Sequence, residues 1–144
     1  MKRFSFRLEP VLKQREMKEE NAVMAFAAAQ QEYFKQVQLL NEVAANLERA
    51  TGEVFDNPDA CEIISKALYI DYLNKRLHQC KFAAAKASHR MEEKRTLMID
   101  ARKDRMVMDR LKQNQFTAYM DSLSSAEQKA LDEMGTVRYT RRRG

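Results

Sequence analysis

The side chains that could do chemistry are few, and their spacing works against them. The chain holds two histidines, His78 and His89, and two cysteines, Cys61 and Cys80. Placed on one helix, the histidines stand about 16 Å apart along the axis, too far to share a metal. The cysteines would be about 28 Å apart, too far to bridge within one chain. His78 and Cys80 are two residues apart and so point from different helix faces. A nucleophile–base pair would need its second member from another helix, and residues 1–60 contain no histidine or cysteine. The carboxylate pairs Glu19–Glu20 and Glu92–Glu93 could suggest acid–base work. Adjacent residues on a helix diverge by about 100°, so these pairs read as a solvated face. Three isolated glycines cannot build a loop that cradles phosphate. The expectation is a protein that is not an enzyme and uses no cofactor or metal.

The remaining candidates are binding groups. Lys2 and Arg3 near one end, with Arg138, Arg141, Arg142 and Arg143 at the other, are the sharpest cue. The formal net charge of +5 attracts acidic partners from a distance. Aromatic residues do not alternate with the basic ones as single-strand nucleic-acid binders require. Met106 and Met120 could serve an adaptable surface, whereas Met91 and Met98 fit an apolar seam.

These groups need elements to carry them, and the composition prescribes helices. Charged residues make up 33% and hydrophobic ones 44%, with three glycines, two prolines and no tryptophan. Such a chain lacks the turn residues of a β-protein and suits long helices joined along a narrow seam. No stretch approaches the roughly 18 apolar residues of a membrane span. Nor does an apolar run follow the basic MKRFSFRLEP, so the reading expects a cytoplasmic protein.

One break interrupts the chain, TGEVFDNPDA at 51–60, with Gly52, Asn57 and Pro58 as helix breakers and Asp56 or Asn57 as possible caps. Before it, Phe26, Ala29, Tyr33, Leu40, Val43, Leu47, Ala50 and Val54 follow steps of three and four, with Gln36 filling the open slot. After it, Ile70, Leu73, Leu77, Cys80, Ala84, Ala87, Met91, Lys94, Met98, Ala101, Arg105 and Met108 continue the repeat. A two-in-seven stripe held this long predicts a coiled coil. The expected fold is all-α: an antiparallel two-helix coiled-coil hairpin in a single domain, 1–144. Helix one spans about 9–51, the turn about 52–58, and helix two about 59–121. Ser124 or Ser125 reads as the cap of a short helix, Ala126 to Met134, that ends at Gly135 and leads into a basic tail, disordered or ordered only on a partner.

With those elements in place, the chain resembles a known family. FSFRLEPVLKQREMKEENA, YIDYLNKRL, RMEEKRTLMIDARKDRMVMDRLK and EQKALDEMGTVRYTRRR are similar to the corresponding regions of FliJ, the coiled-coil component of the flagellar type III export apparatus. The resemblance implies a stalk that docks in the hexameric export ATPase FliI, binds the cytoplasmic domain of the export gate FlhA and escorts export chaperones. By position it implies a gate-binding face of Leu39, Val43 and Asn46 on helix one with Tyr69, Leu73, Arg76 and Cys80 on helix two. Asn46 and Cys80 replace the aromatic and imidazole groups expected there. Arg102, Arg105 and Arg110, with Arg138 and Arg141 to Arg143, would meet acidic loops of the ATPase. Partners are then proteins, with neither nucleic acid nor a small-molecule substrate, and the protein sits peripherally at the inner face of the membrane. A generic helical-hairpin adaptor and a nucleic-acid or ribosome-associated coiled coil are the alternative readings.

Overall fold

Two long helices carry the chain, and the reasons lie in what each stretch leaves out. The computed structural model describes residues 2–144. Helix α1 runs Glu9–Gly52 and helix α2 runs Ala60–Arg143. Between Val11 and Thr51 there is no glycine or proline, and Pro10 falls in the first turn, where its missing N–H costs nothing. Gly52 closes α1, with the Glu53 amide donating to the Arg49 carbonyl at 3.1 Å.

The turn is built from local polar groups. Asn57 takes a positive φ of 56°, a region that asparagine tolerates better than most residues. Pro58 then pushes the chain into the next helix. The cap is Asp59, not Asp56 or Asn57: its carboxylate accepts the Glu62 amide at 2.8 Å, and the Glu62 carboxylate accepts the Asp59 amide at 3.2 Å. This reciprocal pair satisfies two donors that a helix start leaves open. Lys66 reaches back from α2 to the Glu53 carbonyl and lies over the Phe55 ring at 5.1 Å.

The chain forms two compact units, Glu19–Asp100 and Met1–Lys18 with Ala101–Gly144. In Glu19–Asp100 the helices turn back and pack along the heptad stripe. Val43, Ala50, Leu73 and Cys80 are buried, with Leu40, Leu47, Ile70 and Leu77 around them. The seam continues through buried Ala29, Ala84 and Ala87, small knobs that bring helices close and bury little area. Val54 departs from the expected stripe. At 91% exposure it lies outside the seam, because α1 has already ended at Gly52.

In the other unit, Phe6, Leu12 and Met108 form the core, with Phe4 and Val11 against them. Residues 2–8 are not helical, and Lys2, Phe4 and Phe6 lie along α2. Phe4 meets Phe116 edge-on at 5.2 Å and Tyr119 at 5.5 Å, while the Tyr119 hydroxyl donates to the Lys2 carbonyl at 2.7 Å. Glu9 pairs with Lys112 at 2.8 Å, and Arg15 donates to the Asp104 carbonyl at 3.0 Å. Rising numbers on one side meet falling numbers on the other, so the pairing is antiparallel. The all-α antiparallel hairpin expected from the heptads is the observed fold.

The end of α2 corrects the sequence reading. Neither a separate helix at Ala126–Met134 nor a disordered tail exists, because α2 continues without interruption to Arg143. Ser124 and Ser125 are interior residues, not caps. Gly135 costs about 1 kcal/mol relative to alanine, which the strong helix formers Ala126 to Met134 outweigh. The hydroxyls of Thr136 and Thr140 donate to the carbonyls of Asp132 and Thr136, at 2.8 and 3.0 Å. Arg141, Arg142 and Arg143 in the last turn oppose the negative end of the helix dipole.

Candidate partner-binding surfaces

The seven residues expected to face an export gate all lie in Glu19–Asp100, and the structure divides them by burial. Val43, Leu73 and Cys80 belong to the core cluster of the seam. They have almost no area to offer a partner while the helices are paired. Leu39, Tyr69 and Arg76 are exposed. Asn46 is half-buried and accepts a hydrogen bond from Arg49 at 2.7 Å. Tyr69 also lines a groove at the turn with Ala50, Phe55, Cys61 and Lys66. Heptad logic explains the division: Val43, Leu73 and Cys80 hold seam positions, and the others flank them.

Around the turn lies apolar surface that the heptad reading passed over. Phe55, Ile63, Ile64, Leu68 and Tyr72 are exposed by between 44% and 65%. Ile63 falls on the seam repeat, seven residues before Ile70, yet it has no partner helix because α1 stops at Gly52. The signal was present as a run of large apolar residues at the start of helix two. The position of the break decides that they remain bare, an unusual state for large side chains grouped together.

The arginines expected to meet acidic loops all lie in the other unit. Arg102, Arg110, Arg138, Arg141, Arg142 and Arg143 are exposed. Arg105 is half-buried and ion-paired with Asp109 four residues on, so its charge is partly occupied. Arg143 also stacks over the Tyr139 ring at 5.1 Å. Charge separates between the units. Met1–Lys18 with Ala101–Gly144 holds sixteen basic and eight acidic residues, a net of +8. Glu19–Asp100 holds ten basic and thirteen acidic residues, a net of −3. From residue 124 to 144 every side chain is exposed.

Among the described residues no group of three or more His, Cys, Asp or Glu is placed to hold a metal. Cys61 and Cys80 are free thiols, the first exposed and the second buried. Among the described residues no helix is long and apolar enough to cross a membrane.

The family model described as "Flagellar FliJ protein" matches residues 4–144, which takes in the N-terminal segment, both helices and the basic end. The chain belongs to the flagellar FliJ family. It is accordingly a component of flagellar type III export, in a family of structural and adaptor proteins. Comparisons with curated proteins and with solved structures returned no match. The FliJ assignment gives the division of charge and burial a setting: an export component works by holding other proteins.

Proposed function

We propose that the chain is an adaptor whose two units take different partners. The basic unit engages the hexameric export ATPase FliI, with the bare end of α2 entering among acidic loops. The turn end of Glu19–Asp100 engages the cytoplasmic domain of the export gate FlhA, and the chain escorts export chaperones. It then sits at the inner face of the membrane through the gate rather than through lipid.

The carrying observation is the segregation itself. Net +8 gathers in the unit where α2 is exposed on every side from residue 124 onward, while exposed apolar side chains group at the turn of the other unit. Basic charge without buried apolar surface favours fast, salt-sensitive contact. An apolar patch favours slower contact that salt affects less. Within the gate-binding face, Leu39, Tyr69 and Arg76 are the residues that touch the partner, and Val43, Leu73 and Cys80 hold the helices that present them.

The test is a pull-down with purified export ATPase and gate domain, with ATPase rates measured alongside. Reversing Arg138, Arg141, Arg142 and Arg143 to glutamate should lower ATPase stimulation at least several-fold and leave gate-domain capture intact. Leu39→Glu with Tyr69→Ala should do the converse. Unchanged stimulation after charge reversal would remove the ATPase contact from the proposal.

A further inference from the structure

The side of α2 that packs on its partner does not stop where the partner stops. Met108 packs with Phe6 and Leu12, Tyr119 meets Lys2 and Phe4, and Ala101 is buried on the same side of α2. At about 100° per residue, Leu123, Ala126, Ala130, Met134 and Val137 fall on the same side of the helix. Leu123 is half-buried, and from residue 124 onward every residue on that side is exposed, Met134 by 66% and Val137 by 55%. The seam therefore runs on as an apolar stripe bordered by Glu127 on one edge and Glu133 on the other.

The stripe has an internal symmetry. Its steps are three, four, four and three, a pattern that reads the same in both directions about Ala130. A second α2 laid antiparallel across a two-fold axis at Ala130 would set Leu123 against Val137 and Ala126 against Met134. Ala130 would meet its own copy. Each large residue meets a smaller one, as interdigitating layers require. On one flank Lys129 and Glu133 are four residues apart, so the same axis brings Lys129 of each copy beside Glu133 of the other. A closed two-fold pairing of this kind is self-complementary by construction.

The geometry points to a second copy of this chain as the occupant of the stripe. Residues 123–137 of two molecules pair antiparallel about Ala130. The interface is short and falls below the roughly 1,200 Å² of stable complexes, so pairing is weak and reversible. The inference concerns the free chain and does not rest on any partner named above. Its salt response also differs from theirs. Two units of net +8 repel, and screening relieves that repulsion, so self-pairing strengthens with salt while contact with an acidic partner weakens.

Sedimentation equilibrium of the full chain tests the pairing, with circular dichroism as the check on folding. Lys129, Ala130 and Glu133 are exposed, so their variants should keep its helix content. Ala130→Glu should raise the dissociation constant at least tenfold by placing like charges on the axis. Lys129→Glu and Glu133→Lys should each weaken pairing, and the double variant should recover it. In a Cys61→Ser background, mild copper–phenanthroline oxidation should cross-link Ala130→Cys to its own copy and leave Leu123→Cys uncross-linked. A chain that stays monomeric at every concentration overturns the inference. So does a dimer indifferent to Ala130→Glu, or one in which Leu123→Cys cross-links as readily as Ala130→Cys.

Discussion

Individual side chains matter here according to how much seam they fill. Leu73 is 4% exposed in the centre of its cluster, and the seam is too thin to collapse around a void. Leu73→Ala should cost about 2–5 kcal/mol, read as a lower urea midpoint by circular dichroism. Cys80 is legible in the same way: its heptad place announced a buried small hydrophobe, and the structure buries it. Phe4 was not legible. Two phenylalanines spaced by two suggest extended chain, but only the structure shows that Phe4 rests on Phe116 and Tyr119. Phe4→Ala should speed amide hydrogen exchange over residues 108–119 and leave exchange in Glu19–Asp100 unchanged.

At the scale of elements, the break and the heptads fixed most of what was readable. Helix α1 ends within one residue of its expected end, because a glycine and a proline leave little freedom. The cap was misplaced because Asp56, Asn57 and Asp59 share the chemistry, and the helix start alone decides which one serves. Asp59→Ala should cost about 0.5–2 kcal/mol, read by thermal unfolding. The far end of α2 was misread for a different reason. A serine before a glutamate marks a cap only if the preceding backbone leaves the helix, and here it does not. Gly135 is the weak point that remains. An added methyl group would meet nothing within 4 Å. Gly135→Ala should therefore stabilise the end of α2 by about 0.5–1 kcal/mol, seen as slower exchange over residues 130–143.

For the whole molecule, charge was readable as a total and not as a distribution. A net of +5 hides +8 in one unit and −3 in the other, and the assignment of residues to units emerges only from the packing. The same holds for the candidate surfaces. Periodicity told which residues could be buried, but where α1 stops decided which apolar groups at the turn stay bare. Raising salt from about 50 to 500 mM, across which the screening length shortens about threefold, should weaken capture of an acidic partner more than capture at the turn. Binding measured at both concentrations with each partner checks this.

The clasp of Lys2 and Phe4 on Tyr119 and Phe116 also bears on how the chain comes to be folded. The hydroxyl of Tyr119 bonds to a carbonyl 117 residues earlier. Closing so long a loop is entropically costly until the intervening chain is already ordered. The turn at 53–59 can close as soon as both its flanks exist, and zippering outward from it brings the ends together last. During synthesis Lys2 and Phe4 emerge well before Phe116 and Tyr119 exist, and they must wait, unsheltered, for them.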